Sequence, residues 1–171
     1  NLPEKCMMNG PTWTKSMEHV GKIRRKIMFK KIKCKVSNYT INNDLNNQRY
    51  GDWVDLCTLD NIVLKAGEDA LIDLGIAMKL PKGYEAHLLP RSSTFKRTGL
   101  LLTNGMGIID EAYCGNNDTW KVHVYATRDI HVNAGTRLFQ FRIVKKQPNL
   151  KFVYVSKLKD KDRGGYGSTG A

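Results

Sequence analysis

A chain of 171 residues suits one domain, burying about two-thirds of the surface its unfolded form would expose, and is too short for a second full domain. Its 41% apolar and 26% charged residues belong to the ordinary globular class, and no stretch reaches the roughly 18 apolar residues of a membrane-spanning helix. The formal charge of +12 is carried by the ends, with 11 Lys or Arg against 3 Asp or Glu in residues 1–50 and 7 against 2 in residues 145–163, so the excess reads as solvated surface around a slightly acidic middle.

Cys6, Cys34, Cys57 and Cys114 are too widely separated for a paired zinc motif and too sparse for a disulfide scaffold, which points to a reducing, cytoplasmic setting. No N-terminal stretch has the apolar core of a secretory signal. The opening Asn1 reads as a trimmed start and Met28 as the natural one. Residues 1–28 carry Pro3, Gly10, Pro11 and Gly21 and a basic run over residues 22–26. Met17, Val20, Ile23 and Ile27 recur at helical intervals, yet the segment is read as a disordered basic extension rather than an amphipathic helix.

From Phe29 the period changes to two: Ile32, Cys34 and Val36 alternate with Lys31, Lys33 and Lys35, as in a strand with one wet face. The Asn-rich stretch 41–51 reads as a loop. Strands are predicted over 53–58, 62–65, 70–79, 84–89, 99–103, 106–110, 120–126, 137–145 and 151–156. Turn signals separate them, among them Pro81-Lys82-Gly83 and Asn133-Ala134-Gly135. About ten short strands without a long helix predict an all-β antiparallel sandwich or barrel over residues 29–159. Residues 160–171 are polar, carry four glycines and cannot build a core.

Four segments have chemical potential. In the tail, glycines let backbone N–H groups approach an anion, while Arg163, Ser168 and Thr169 add donors, so the segment is either a disordered terminus or a phosphate grip that closes over its ligand. It lacks the spacing of a P-loop. Arg91, Ser92, Ser93 and Thr94 follow an apolar strand, as a site loop or a polar turn. Gly107 to Gly115 reads as a strand entering a tight turn, with Asp110 either a general base or a capping residue and Tyr113 a flat surface or a core ring. Gln140 is either a surface residue or a donor into a cleft.

In this order and spacing, the segments around Asp55, Arg91, Asp110, Gln140 and the Gly-rich tail resemble the motifs of the trimeric dUTPase family, and residues 28–171 are similar to its small members in Bacillus-type bacteria and their phages. The resemblance implies a jelly-roll-like β domain with a flexible C-terminal arm over residues 160–171. It also implies a homotrimer with active sites shared between subunits, and hydrolysis of dUTP to dUMP and pyrophosphate with Mg2+. Asp110 then matches the residue that activates water, and Tyr113 the ring that excludes a 2′-hydroxyl. Asn104 matches the side chain that pairs with uracil, beside hairpin backbone groups that include Gly107. Arg91, Ser92 and Gln140 match the phosphate ligands, and Asp55 the carboxylate that holds hydrated magnesium. Arg163, Gly167, Ser168 and Thr169 match the arm that caps the γ-phosphate. Tyr166 stands where the family often has Phe, preserving a stacking surface over uracil. Asp52-Trp53 replaces the usual Ala-Gly before the first motif, so Asp52 is a second candidate for the role of Asp55.

Two other readings compete. A related dCTP deaminase would need an acid/base glutamate, for which Glu111 is the candidate, and would release ammonia. The basic first 50 residues also suit a regulatory or nucleic-acid-binding protein built on the same core, whose DNA binding would fall steeply with salt and be lost on deletion of residues 1–28.

Overall fold

The structure is a computed structural model that describes residues 30–37, 41–42, 44–162 and 164. The expected N-terminal extension and the arm residues Arg163, Tyr166, Gly167, Ser168 and Thr169 lie outside the described residues.

Twelve strands and one short helix are present among the described residues. In chain order they are β1 (Lys33–Val36), β2 (Arg49–Tyr50), β3 (Trp53–Cys57), β4 (Ile62–Leu64), β5 (Asp69–Asp73), β6 (Ile76–Lys79), β7 (Tyr84–Pro90), α1 (Thr94–Thr98), β8 (Leu100–Leu102), β9 (Gly107–Ile109), β10 (Lys121–Ala126), β11 (Ile130–Val132) and β12 (Arg137–Lys145). All pairings are antiparallel and form sheets of order β1-β6, β5-β10-β8, β11-β4 and β2-β3-β12-β7-β9.

Alternation explains the core. In β10, Val122, Val124 and Ala126 are buried while Lys121, His123 and Tyr125 face out. Leu56 of β3, Ile62 of β4, Met78 of β6, Leu88 of β7, Leu100 of β8 and Phe141 of β12 join them in one cluster, so all four sheets contribute to a common interior. Trp120 is fully buried there, its ring edge-on to Phe141 at a centroid distance of 5.1 Å.

Three expectations are corrected by the structure. The predicted strand 70–79 is two strands, β5 and β6, because Gly75 adopts φ +64°, its N–H donates to Asp73 Oδ1 at 2.7 Å, and an added Cβ would meet Leu59 Cδ1 at 3.0 Å. The polar turn after Pro90 runs into helix α1, which ends on the left-handed Gly99 (φ +74°). Residues 151–156 form no strand and pair with none among the described residues, and Phe152, Val153, Tyr154 and Val155 are exposed. The loop before β3 is also more structured than its Asn-rich composition suggests. Asn42, buried at φ +56°, donates from Nδ2 to the carbonyls of Cys57 and Leu74, both at 2.9 Å, and accepts the N–H of Cys57 at 2.8 Å.

No helix among the described residues is long and apolar enough to cross a membrane.

Candidate active site

The five-stranded sheet carries Asp55, Gly107 and Gln140, and Arg91 and Asp110 directly follow two of its strands. Its centre, β12, pairs Gln140 with Asp55 of β3 on one side and with Leu89 of β7 on the other. The ladder shifts register between Arg137 and Phe139, so Leu138 and Phe139 are both buried and strict alternation fails just before Gln140. The bulge leaves the Leu138 carbonyl free to accept the Arg91 N–H at 2.9 Å and the Thr94 hydroxyl. Gln140 Nε2 donates to the Pro90 carbonyl at 3.2 Å. The start of the Arg91-Ser92-Ser93 turn is therefore clamped to β12, with Ser92 exposed and helix α1 packed behind it.

Asp55 is buried, with only 2% of its surface exposed, in a strand that otherwise supplies core residues. A carboxylate there must be paired. Its Oδ1 lies 3.0 Å from Arg91 Nε, and its Oδ2 lies 3.8 Å from Arg137, accepting no hydrogen bond from the described residues. Arg137, which the sequence did not single out, is held by the Tyr50 hydroxyl at 2.9 Å. Asp52, the second candidate for the same role, sits on the exposed β2–β3 turn, 3.9 Å from Arg49. Arg142 stacks over the ring of Trp53 with its guanidinium carbon 5.6 Å from the centroid.

A second group lies around β9. The turn from β8 to β9 is closed by the Gly105 N–H to the Leu102 carbonyl at 3.1 Å and the Met106 N–H to the Asn104 carbonyl at 2.7 Å, leaving the Asn104 side chain exposed. It is not a simple hairpin: β8 pairs with β10 and β9 with β7, so the turn carries the chain from one sheet to another. Gly107 faces Leu88, whose Cβ would stand 3.3 Å from any added Cβ, and this close approach explains a glycine in the strand.

Asp110 follows β9 directly. Its Oδ1 accepts the Ala112 N–H at 2.8 Å and its Oδ2 the Lys146 ammonium at 2.8 Å. The Lys146 ammonium, followed by the Ala112 N–H, holds the Asp110 carboxyl below the ordinary aspartate value. Tyr113 is partly exposed, and its hydroxyl donates to the Thr119 carbonyl at 3.2 Å. Glu111 accepts the Gly83 N–H and lies 3.9 Å from Lys146, so its carboxylate is engaged in holding the β6–β7 turn.

The structure thus brings Asp55, Arg91 and Gln140 together and sets Asp110 beside Tyr113, but keeps the two groups apart. Ile109 pairs with Ala86, which places Asp110 beside Glu85, whereas Arg91 follows Pro90 at the far end of the same strand. Six residues at roughly 3.3 Å each make about 20 Å. Among the described residues, no cluster of three or more His, Cys, Asp or Glu is arranged to hold a metal ion.

Comparison with known proteins identifies the family. The dUTPase family model matches residues 45–170, nearly three-quarters of the chain, and covers every candidate residue named above. The chain belongs to the dUTPase family. Among its relatives, the SPbeta prophage-derived deoxyuridine 5'-triphosphate nucleotidohydrolase YosS of Bacillus subtilis is 49% identical over 126 residues, covering 74% of this chain and 89% of that protein. The fold is that of solved dUTPases. The Staphylococcus bacteriophage 80alpha dUTPase with dUpNHpp superposes with a TM-score of 0.67 at 20% identity, covering 84% of this chain and all of that one. A variant of the dUTPase from phage phi11 of S. aureus, whose structure describes the coordination of a structural Mg(II) ion, gives 0.63 at 20% identity, covering 75% and 100%. The jelly-roll-like β architecture of this dUTPase family member follows from those likenesses together with its antiparallel sheets.

Proposed function

We propose that the protein hydrolyses dUTP to dUMP and pyrophosphate, in active sites completed between subunits of a homotrimer. The relationship to a deoxyuridine triphosphate nucleotidohydrolase at 49% identity supports the reaction. The observation that carries the shared site is the separation of Asp110 from Arg91 along β7. A base must reach the water beside the phosphorus under attack while phosphate ligands lie within hydrogen-bond reach of the same polyphosphate. Groups about 20 Å apart on one strand do not converge in this way, whereas Asp110 of one subunit and Arg91 of another can do so. The exposed apolar segment around Phe152, Val153, Tyr154 and Val155 supports an assembly in which that surface is covered.

In this mechanism Asp110 accepts a proton from water as the water oxygen bonds to the α-phosphorus. The bond from that phosphorus to the bridging oxygen breaks, and pyrophosphate leaves with the electron pair. Arg91, Ser92 and Gln140 hold phosphate oxygens, and the planar guanidinium of Arg91 offers a fork of N–H donors suited to them. Tyr113 packs on the deoxyribose where a 2′-hydroxyl would otherwise fit. Asn104 and the backbone around Gly107 read the donor and acceptor edge of uracil, which cytosine reverses. Arg163, Gly167, Ser168 and Thr169 cap the γ-phosphate and Tyr166 stacks on the base, closing the site to bulk water.

A divalent ion fits this donor set as cargo of the substrate rather than as a resident cofactor. Mg2+ commonly keeps several waters and is held by one or two carboxylates plus substrate phosphates, and Asp55 offers a buried oxygen, Oδ2, that accepts no hydrogen bond from the described residues. When bound, Mg2+ would neutralise charge on the phosphates. The testing experiment is Asp110→Asn in the full chain: nucleotide binding is retained and turnover is lost by at least about a hundredfold, whereas preserved turnover would refute the assigned base.

A further inference from the structure

Lys146 lies just past β12 within the basic stretch that reads as surface, yet it occupies a built position. Its backbone N–H donates to the Gly83 carbonyl at 3.0 Å, while the N–H of Gly83 donates to the Glu111 carboxylate. Gly83 sits at φ +78°, a conformation that presents both of its backbone groups in this way at little cost only in a glycine. One glycine therefore ties the end of β12 to the turn that carries Asp110. From that anchored backbone, Lys146 Nζ reaches Asp110 Oδ2 at 2.8 Å and lies 3.9 Å from Glu111 Oε1.

We infer that Lys146 is a positioning residue for the base, fixing the Asp110 carboxylate in the orientation that receives the proton of the attacking water. This rests on the proposed role of Asp110. The Ala112 N–H takes one carboxylate oxygen and Lys146 the other, leaving no freedom of rotation about the side chain without the loss of a charge-assisted bond. An ionised carboxylate offers about four acceptor sites, so each oxygen keeps a lone pair for water. The charged groups facing the pair are Glu111, on the same turn as Asp110, and Glu85, on β7. With Asp110 they hold Lys146 above the ordinary lysine value, Asp110 contributing most. Lys146 therefore stays protonated wherever the enzyme works, and the group that titrates on the acid side is Asp110.

The sign of the effect follows. Without the ammonium, the Asp110 carboxyl rises toward its ordinary value, less of it is ionised at a given acidic pH, and the acid limb of activity moves to higher pH. The experiment compares kcat against pH for the full-length protein, Lys146→Gln and Lys146→Arg, with the affinity of an α,β-imido analogue of dUTP measured alongside. Lys146→Gln should move the acid limb upward and lower kcat on the order of tenfold or more, with analogue affinity within about twofold, and Lys146→Arg should restore the limb. An unmoved limb and undiminished kcat in Lys146→Gln would overturn the assignment. The unaltered protein supplies a second readout that needs no variant: about 1 M salt, with a screening length of roughly 3 Å, moves its acid limb the same way, and a salt-insensitive limb would also contradict the role. Asp110→Asn separates the two levels. Turnover there would refute the base itself, while an inactive Asp110→Asn beside an unaffected Lys146→Gln would refute Lys146 alone.

Discussion

Arg91 and Asp55 are joined at 3.0 Å across neighbouring loops and strands, with the carboxylate almost wholly withdrawn from solvent and the guanidinium about one-quarter exposed. The pair lets one end of the arginine neutralise a buried charge while the rest remains available for the proposed phosphate contact. Asp55→Asn keeps the shape and removes the charge, leaving Arg91 and Arg137 facing each other across a neutral amide. We expect a loss of about 2 kcal/mol of folding stability, measured by urea unfolding, together with a higher KM for dUTP. Unchanged stability would mean that the carboxylate is not the partner that Arg91 requires.

The proposed sharing of sites gives complementation a definite form. Asp110→Asn and Arg91→Ala, each inactive alone, should recover activity when the two proteins are mixed and reassembled. If each site takes its base from one subunit and its arginine from another, about a quarter of the sites in an equal mixture carry both intact groups. Recovery of none, after exchange of subunits is demonstrated, would place both groups of a site in one chain.

Tyr113 is anchored by its hydroxyl to the Thr119 carbonyl. Tyr113→Phe preserves the ring and should preserve rejection of UTP, whereas Tyr113→Ala opens the space for a 2′-hydroxyl. The ratio of kcat/KM for dUTP over UTP should fall by about tenfold or more in the alanine variant. An unaltered ratio would remove the ring from substrate discrimination.

Asn42 joins the end of β3 to the break between β5 and β6 through three buried hydrogen bonds. Asn42→Ala leaves two carbonyls and one N–H without those partners and should cost about 3 kcal/mol, read in thermal or urea unfolding. Loss of less than about 0.5 kcal/mol would show that water replaces the side chain readily.

What could be read in the sequence was what alternation encodes. The strand over 137–145 coincides with β12, and 84–89 and 120–126 differ from β7 and β10 by a residue, because buried residues recur on one face of β7 and β10 and, past the bulge at Leu138 and Phe139, of β12. The break at Gly75 is hidden inside a mostly apolar run interrupted by Asp73, since a left-handed glycine leaves no mark on periodicity. Residues 151–156 have strand composition, but a strand needs a partner and none among the described residues supplies one. β11, only three residues long, was too short to show a period. At the site, Arg91 and Gln140 stand out locally as a polar turn after a strand and a polar residue within an apolar one, Asp55 only through family resemblance, and their convergence depends on the β3–β12–β7 ladder, which no local pattern encodes. Lys146 was counted within a basic terminal stretch because its pairing spans 36 residues of chain and arises only when Gly83 ties three segments together.

Pyrophosphate release by the purified protein with Mg2+, measured in parallel on dUTP, UTP, dCTP and dTTP, tests the central claim most directly. Rapid release from dUTP, with the other three slower by at least about a hundredfold, is the predicted result; no release from dUTP by the folded protein, or equal release from all four, would contradict it.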